Sequence, residues 1–426
     1  MRVTIHPSEL YGTIQAPASK SYAQRALAAA LLANGFTVLR NPSRCDDAVS
    51  AMKVIQALGA DISDHGDQLK IRGGFSPVST NLNFGEAGLG IRLFASIAAL
   101  HTGEITLSGS GSLTKRPMGL IHEALSTLGV NCKTNNGFLP IKVNGPLNGG
   151  NIKIDGSLSS QVLTGLLMAL PLAKNDSVIE VHNLQSIPYI DMTLQLMKDF
   201  GIIVSHNNYQ EFCIPGQQRY IATDYLIEGD WSGGAFLLVA GAISGRVKIE
   251  HLKTESLQAD REIMRALKEA GAQIEVHNGV IQSSKSELKA FSFDATHCPD
   301  LFPPLVALAA HCKGRSQIKG VGRLIHKESN RADALLNEMG KLGVRISITD
   351  DYMYIEGSAK IKAASIHSHH DHRIAMAAAT VVMGGNEAVS IEAAECINKS
   401  YPDFYNDLTK LGGKADEPSM TKGKIL

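Results

Sequence analysis

Positively charged side chains recur at the starts of segments that have the pattern of apolar helices. Examples are "PASKSYAQRAL" (residues 17–27), "HKESNRADALL" (326–336) and "HHDHRIAM" (369–376). A helix N-terminus carries about half a positive charge, so a cation placed there costs roughly 0.3–1 kcal/mol. In a chain with no net charge, repetition of this pattern indicates an anion held by these side chains, serine hydroxyls and free backbone N–H groups. The sequence therefore predicts a site for a small ligand with several negative charges. The cations concerned are Lys20, Arg25, Arg92, Lys115, Arg116, Lys327, Arg331, His372, Arg373 and Lys399.

Four histidines in "SIHSHHDHR" (residues 365–373) suggest a zinc site as an alternative. Such a site needs ligands arranged around one point, with partners that orient them. His367, His369 and His370 are irregularly spaced in a turn, and the cysteines lie elsewhere in the sequence. We therefore expect no metal. In this interpretation His372 and Arg373 face an anion, and the other three histidines lie in a solvated loop.

The composition is typical of a globular protein. The 426 residues include 41 Lys plus Arg and 41 Asp plus Glu, so the formal net charge is zero. This argues against a general nucleic-acid binder, which carries a basic excess. No two of the six cysteines form a C-x-x-C pair, so we expect reduced core thiols in a cytoplasmic protein. The N-terminus shows no secretory signal, and no apolar run reaches the length of about 18 residues that a membrane span needs.

An internal repeat sets the positions of the helices. An amphipathic helix that ends at a glycine and leads into a strand occurs six times, as in "AMKVIQALGADI" and "IMRALKEAGAQI". The glycine suits a left-handed helix C-cap and recurs at intervals of 70, 72, 70, 72 and 69 residues. The six positions are Gly59, Gly129, Gly201, Gly271, Gly343 and Gly412.

Each repeat also contains a second helix that is apolar on nearly every side, as in "GGAFLLVAGAISG" (residues 233–245). A helix of this kind is buried on every side. We therefore expect six units of about 70 residues, each with two helices and about four short strands, with helices inside and sheets outside. Three units make a domain of about 210 residues, and a cleft between two such domains is the expected ligand site.

Six motifs carry a resemblance to a known family. They are "PASKSYAQRAL", "DGSLSSQVLTGLLMALPLA", "IPYIDMTLQLMKDFG", "HKESNRADAL", "HHDHRIAMAAA" and "NKSYPDFYNDLTKLG". Together, from about Pro17 to Gly412, they resemble the signatures of the 5-enolpyruvylshikimate 3-phosphate synthase family. The resemblance implies an α/β fold, a two-domain inside-out α/β barrel of six βαβαββ repeats with buried helices and outer sheets. It also implies crossovers near Ser19 and Glu228. The N-terminal domain is then 19–228 and the C-terminal domain 1–18 plus 229–426, with the active site in the interdomain cleft.

The family transfers the enolpyruvyl group of phosphoenolpyruvate to the 5-hydroxyl of shikimate 3-phosphate and releases phosphate, through a tetrahedral intermediate, in chorismate and aromatic amino acid biosynthesis. The resemblance implies a monomer without metal or cofactor, whose partners are these two substrates and neither nucleic acid nor membrane. It assigns catalysis to Asp300 as the base and Glu328 as the proton donor, with Lys20 and Lys327 at the reacting centre. Residues assigned to shikimate 3-phosphate are Lys20, Ser21, Arg25, Ser159, Ser160, Gln161, Ser186, Tyr189, Asp300 and Lys327. Residues assigned to phosphoenolpyruvate, including the anion-facing His372, are Lys20, Gly88, Arg116, Gln161, Arg331, His372, Arg373 and Lys399.

The chain departs from the commonest family pattern in several places. Before Arg92 the turn reads "GEAGLG", with Glu86 and Leu89 where asparagine and threonine are usual, although Gly88 is retained. A carboxylate beside a phosphate site is unfavourable unless it pairs with a cation such as Arg92. We therefore expect an altered phosphoenolpyruvate subsite, and sensitivity to glyphosate does not follow from the resemblance. The other departures are Ile187, Arg323 and the stretch "EGDWSGGA".

Two other functions are alternatives. The sister enzyme that transfers enolpyruvyl to UDP-N-acetylglucosamine has a catalytic cysteine five residues before an Arg-Pro pair, whereas Gly111 stands five residues before Arg116 and Pro117 here. A DNA clamp built from repeated units would line its helices with Lys and Arg to follow the phosphates. The buried helices here carry few charges beyond their first turn. An inactive relative is disfavoured because all four assigned catalytic residues are present.

Overall fold

A computed structural model describes residues 1–157 and 159–416. Within these residues the chain forms twelve α-helices, two for each predicted repeat. The helices are α1 (Lys20–Leu32), α2 (Asp46–Ala57), α3 (Gly88–Ala98), α4 (Gly119–Thr127), α5 (Gln161–Ala169), α6 (Ile187–Asp199), α7 (Trp231–Ser244), α8 (Ile263–Glu269), α9 (Phe302–His311), α10 (Arg331–Lys341), α11 (His372–Met383) and α12 (Phe404–Lys410).

The same residues form 25 short strands, which lie singly or in short runs between the helices. They are β1 (Arg2–His6), β2 (Tyr11–Gln15), β3 (Ala33–Arg40), β4 (Asp61–Asp64), β5 (Gln68–Gly73), β6 (Asn81–Asn83), β7 (Glu104–Ser108), β8 (Asn131–Asn135), β9 (Phe138–Asn144), β10 (Gly150–Asp155), β11 (Ser177–His182), β12 (Ser205–Asn207), β13 (Glu211–Ile214), β14 (Tyr220–Ile221), β15 (Asp224–Leu226), β16 (Arg246–Glu250), β17 (Gln273–His277), β18 (Val280–Ser284), β19 (Ser292–Asp294), β20 (Arg315–Lys319), β21 (Arg345–Thr349), β22 (Tyr352–Glu356), β23 (Ala364–His367), β24 (Val389–Glu392) and β25 (Lys414–Ala415).

The six repeat glycines explain why the even-numbered helices end where they do. All six have positive φ angles, between +80° and +109°. A side chain in this left-handed region would be strained, so glycine ends each helix at no steric cost. The sixfold repeat predicted from the sequence is confirmed.

The odd-numbered helices form the cores, as their composition predicts. Every residue of α11 is buried, and every residue of α7 except Ser232. Among the described residues, no helix is both long enough and apolar enough to cross a membrane. Five of the six cysteines are buried, but Cys213 is exposed, so the expectation of six core thiols is wrong at that position.

The chain divides into two compact units at the Pro17–Ala18 and Glu228–Gly229 bonds. The unit that begins at Ala18 and ends at Glu228 holds helices α1 to α6, with α3 packed against both α1 and α5. Its sheets have the orders β6-β7-β9-β8, β10-β11-β13-β12 and β14-β3-β5-β4, with β15 also paired to β3. In the first two of these sheets, one parallel pair is followed by antiparallel pairs.

The other unit combines Met1–Pro17 with the residues from Gly229 onward. Its helices α7, α9 and α11 pack against one another. The sheets are β17-β18-β16-β2, β19-β20-β22-β21 and β23-β24-β1-β25. Strand β1 pairs antiparallel to β24, with Val3 opposite Ile391, so the start of the chain completes the sheet of the last repeat.

Candidate active site

A buried arginine organises one cluster of charges in the unit that contains α7 to α12. Arg331 is the first residue of α10, and Asn330 precedes it as an N-cap that accepts from the Asp333 N–H. The Arg331 side chain is fully buried. Its guanidinium contacts three carboxylates, and together they raise its pKa further despite burial. The distances are 3.0 Å from Nε to Asp371 Oδ2, 2.9 Å from Nη1 to Asp300 Oδ1 and 2.5 Å from Nη2 to Glu328 Oε2.

Asp300 is the carboxylate that Arg331, Lys327 and Arg373 share. It lies in the 3₁₀ turn Pro299–Leu301 that leads into α9, with 22% of its side chain exposed. Besides Arg331, Lys327 Nζ lies 3.1 Å from Oδ1, and Arg373 Nη2 lies 3.2 Å from Oδ2. Burial raises the pKa of Asp300, but attraction by Arg373, Lys327 and Arg331 outweighs burial and holds the pKa well below its usual value. Asp300 is therefore an anion in this arrangement.

Asp371 is a member of this cluster that the sequence analysis did not assign. Its side chain is fully buried and caps α11, accepting the Arg373 N–H at 3.0 Å. Ser329 Oγ also donates to it, at 3.1 Å. A signal was present in the sequence, because an aspartate directly before an apolar helix is a preferred N-cap. Its second task, pairing with Arg331, depends on the tertiary fold.

The turn before Asp371 is strained and ordered by contacts. His369 and His370 have φ angles of +54° and +56°, a region that costs a non-glycine residue energy. The His370 carbonyl accepts from Lys399 Nζ at 2.7 Å. His369 is 43% exposed, yet its Nε2 lies 2.8 Å from a carboxylate oxygen of buried Glu338. His369 is therefore exposed, as expected for a solvated loop, and also contacts a carboxylate, whereas the expectation is wrong for His367, which ends β23 and is partly buried.

His372 and Arg373 open α11, as the sequence analysis expected. Both are buried, with 1% and 4% of the residue exposed. Among the described residues, no three His, Cys, Asp or Glu side chains are grouped so that they could hold a metal ion.

The second group of assigned residues lies in the unit from Ala18 to Glu228. Lys20 begins α1, where Ser19 is the N-cap, and its Nζ lies 3.0 Å from Asp47 Oδ2. Asp46 and Asp47 are not among the assigned residues, and their position before an apolar helix predicts capping of a helix that begins near Ala48. In the structure α2 begins at Asp46, and Asp47 in its first turn pairs with Lys20.

Arg25 joins α1 to α6. The residue is 1% exposed, and its Nε donates to Thr193 Oγ1 at 2.9 Å. Its Nη1 donates to the Ser21 carbonyl at 2.9 Å, and its Nη2 to the Tyr189 carbonyl at 3.2 Å. Burial lowers the pKa of Arg25 to about 10, so it remains a cation at neutral pH. Ser186, the residue before α6, has a left-handed φ of +59°, which is a strained backbone at an assigned site position.

The start of α5 carries three assigned residues. Ser159 Oγ accepts the Gln161 N–H at 3.1 Å, and Ser160 is buried directly before the helix. Gln161 Oε1 accepts from Arg92 Nη1 at 3.0 Å, and Arg92 also donates to the Gly88 carbonyl at 3.1 Å. Arg92 thus links the starts of α3 and α5.

Gly88 and Arg116 lie against each other. Gly88 is the first residue of α3, and Arg116 follows the 3₁₀ helix Gly111–Lys115. A Cβ atom at Gly88 would overlap Arg116 Nη1. The lack of a side chain at Gly88 therefore lets the guanidinium of Arg116, a buried residue, approach the start of α3.

Glu86 is anchored by a backbone group. The Ser112 N–H donates to Glu86 Oε2 at 2.8 Å, and a Cβ at Gly111 would overlap the Glu86 carboxylate. The carboxylate therefore holds the 3₁₀ helix that precedes Arg116, a role the sequence analysis did not consider.

The fold and the cation-rich cluster around Asp300 define a two-unit α/β protein with side chains that can bind small anions. Residues 5–408 match the family model described as EPSP synthase (3-phosphoshikimate 1-carboxyvinyltransferase). The chain belongs to the EPSP synthase family.

Relatives agree with this assignment, and solved structures share the fold. The chain is 37% identical to 3-phosphoshikimate 1-carboxyvinyltransferase from Clostridium kluyveri, over 99% of both chains, and 37% identical to that from Clostridium novyi, again over 99% of both. EPSP synthase from Acinetobacter baumannii shares the fold with a TM-score of 0.81 at 24% identity, over 98% of this chain and 100% of that one. The enolpyruvyl transferase NikO from Streptomyces tendae has a TM-score of 0.78 at 15% identity, over 97% of this chain and 98% of that one.

Proposed function

We propose that the chain transfers the enolpyruvyl group of phosphoenolpyruvate to the 5-hydroxyl of shikimate 3-phosphate and releases inorganic phosphate. The observation that carries this proposal is the cluster in which Lys327, Arg331 and Arg373 surround the Asp300 carboxylate, with Glu328 on the same arginine. It combines cations for anionic groups with two carboxylates for proton transfer. Membership of the EPSP synthase family supports the same reaction.

The cations would bind the anionic groups of the substrates. Arginine suits carboxylate and phosphate because its planar group donates two parallel hydrogen bonds and stays charged. We assign phosphoenolpyruvate to Lys20, Gly88, Arg116, Gln161, Arg331, His372, Arg373 and Lys399. We assign shikimate 3-phosphate to Lys20, Ser21, Arg25, Ser159, Ser160, Gln161, Ser186, Tyr189, Asp300 and Lys327.

Two carboxyl groups would move the protons. Asp300 takes the proton of the 5-hydroxyl while that oxygen bonds to C2 of phosphoenolpyruvate, and Glu328 protonates the methylene carbon C3. The product of this addition is a tetrahedral intermediate that carries a methyl group. Elimination then returns a C3 proton to Glu328, restores the double bond and breaks the C2–O bond to phosphate, and the proton held by Asp300 passes to the departing phosphate. We also assign Lys20 a share in the proton transfer at C3, as the family resemblance implies.

The charge balance at Asp300 would change when substrate binds. Its pKa is held down by three cations, which makes it a weak base. An anionic substrate that draws Arg373 and Lys327 toward itself weakens this attraction. The pKa of Asp300 then rises toward the range in which a carboxylate accepts a proton effectively.

We also propose that the Asp300 cluster and the assigned residues of the unit from Ala18 to Glu228 act on one pair of substrates. The reaction supports this view because donor and acceptor must be held in contact, and neither group of assigned residues contains all of the catalytic side chains.

The proposal is tested by measuring phosphate release from phosphoenolpyruvate with shikimate 3-phosphate or UDP-N-acetylglucosamine as acceptor. We expect release with shikimate 3-phosphate alone, unchanged after EDTA treatment. Release with the sugar nucleotide would instead favour the sister reaction. If folded protein released no phosphate with either acceptor, the assignment would be overturned.

Substitution Gly88→Ala is expected to raise the KM for phosphoenolpyruvate about tenfold, with a smaller change in kcat. The new methyl group would displace the Arg116 guanidinium, and overpacking of this kind costs about 1–3 kcal/mol. Steady-state kinetics check this, with Gly119→Ala as the control because a Cβ at Gly119 meets open space. An unchanged KM in Gly88→Ala would show that Arg116 does not need this approach.

Substitution Glu86→Ala is expected to raise the same KM by about tenfold, because the turn that carries Arg116 loses a hydrogen bond to a charged acceptor. Glu86→Gln should lie near the wild type, since its amide oxygen can accept the Ser112 N–H. Kinetics of both variants are compared with Glu104→Ala, a change at an exposed glutamate of the same unit. A fall in KM in both Glu86 variants would mean that the carboxylate repels the substrate.

A further inference from the structure

Asp260 is a buried carboxyl group beside the cluster, and the mechanism above gives it no role. It lies in the 3₁₀ turn Ala259–Glu262 and is 1% exposed. Ser232 Oγ of α7 donates a hydrogen bond to Oδ2. Within residues 1–157 and 159–416, its other oxygen, Oδ1, has no hydrogen-bond partner. Such a group is costly to bury as an anion.

Arg373 lies between this carboxyl group and Asp300. Its Nη1 is 3.8 Å from Asp260 Oδ2 and donates to the Asp300 carbonyl at 3.1 Å. Its Nη2 is 3.2 Å from Asp300 Oδ2. An anionic substrate that binds Arg373 must therefore compete with two carboxyl groups, one of which lies outside the assigned machinery.

We propose that Asp260 is a positioning residue that retains Arg373 when ionised and releases it to the anionic substrate when protonated. This inference rests on the proposed function, in which Arg373 binds phosphoenolpyruvate. In the protonated state Asp260 no longer attracts Arg373, and Asp300 still does. In the ionised state both carboxylates attract it away from the substrate.

The surroundings place this proton exchange near neutral pH. Burial raises the pKa of Asp260 to about 7, with Asp300 and Asp230 adding to the rise and Arg373 and the Ser232 hydrogen bond opposing it. Cys298 faces it as well, but burial raises the pKa of that thiol well above its usual value, so it stays neutral. Below about pH 7 Asp260 is mostly protonated, and above it mostly ionised.

The expected change in the affinity for phosphoenolpyruvate follows from the fraction of protein in which Asp260 is protonated. One pH unit above a pKa of about 7, roughly one tenth of Asp260 is protonated, so the apparent affinity for phosphoenolpyruvate falls by up to about tenfold. Substitution Asp260→Asn keeps the shape and removes the charge at every pH. We expect its KM for phosphoenolpyruvate to match the wild type at pH 6 and to be up to about tenfold lower at pH 8.

The experiment compares KM and kcat for phosphoenolpyruvate between pH 6 and 8.5 in the wild type, Asp260→Asn and Ser232→Ala. Ionisation of the substrate itself affects all of these proteins equally, so it cancels in the ratio of each variant's KM to the wild-type KM. Removing the Ser232 hydrogen bond raises the pKa of Asp260, so Ser232→Ala should move the midpoint of the KM profile to higher pH. Asp294→Asn, at an exposed aspartate of the same unit, should follow the wild type.

Calorimetric titration of phosphoenolpyruvate into the protein without acceptor distinguishes failure of the proposed function from failure of the proposal for Asp260. If wild-type protein neither binds nor turns over phosphoenolpyruvate, the proposed function has failed. Wild-type protein that turns the substrate over would support the proposed function. If the ratio of the Asp260→Asn KM to the wild-type KM is then the same at pH 6 and pH 8, the proposal for Asp260 is wrong. A KM raised equally at every pH in Asp260→Asn would likewise overturn it, because it indicates a purely structural role.

Discussion

Substitution Asp300→Asn is expected to lower kcat by about 10²–10⁴-fold, the range that a positioned general base contributes. Asparagine keeps the shape of the side chain but cannot take the proton of the attacking hydroxyl. It also leaves Lys327, Arg331 and Arg373 without the carboxylate that they share. Initial rates of phosphate release at saturating substrates measure the effect.

The KM values and a control distinguish catalysis from binding. Cations freed from Asp300 should hold the anionic substrates at least as well, so we expect the KM for phosphoenolpyruvate to stay equal or fall. Asp294→Asn removes an exposed aspartate of the same unit and should leave kcat unchanged. A kcat within a few-fold of the wild type in Asp300→Asn would show that another group is the base.

Substitution Arg331→Met is expected to destabilise the protein by about 3–5 kcal/mol, the cost of removing one partner from a buried ion network. Arg331 is fully buried and contacts Asp300, Glu328 and Asp371, of which Asp371 is also fully buried. Methionine fills much of the same space but compensates none of these charges. Urea unfolding followed by circular dichroism measures the change.

The matched control is Arg2→Met, at an arginine whose side chain is 54% exposed and pairs with Glu392. A surface pair of this kind contributes about 0–1 kcal/mol. Arg331→Lys should lie between the two, because it keeps the charge but loses the planar group that reaches several carboxylates. If Arg331→Met were no less stable than Arg2→Met, the carboxylates around Arg331 would not need its positive charge to be buried in the folded protein.

Much of the fold could be predicted because its signals are local and repeated. Each amphipathic helix ends at a glycine that the structure places at positive φ, and each core helix is apolar on nearly every side. Strand pairing is different, because the short strands have little pattern of their own. The pairing of β1 with β24 joins segments almost 400 residues apart, and the family resemblance implied only that residues 1–18 belong with the C-terminal domain.

The same distinction between local signals and long-range contacts applies to the candidate site. Residues at helix starts, such as Lys20, Arg331 and Arg373, carried a signal because cations are unusual there. The contacts of Asp260 with Arg373 and of Asp371 with Arg331 carried no signal, because they form only through the packing of separate repeats. Glu86 was judged as a charge that needs a cation, whereas its carboxylate also caps a backbone N–H that motif comparison does not show.

The central claim is that the carboxylates of this cluster add a proton to phosphoenolpyruvate and later remove one. Turnover in D₂O with shikimate 3-phosphate tests it most directly, with the product examined by NMR. Addition and elimination convert the methylene carbon to a methyl group and back, so we expect deuterium at the vinyl carbon of the product. A product formed over many turnovers without deuterium at that carbon would contradict the account, because no proton would have been added there.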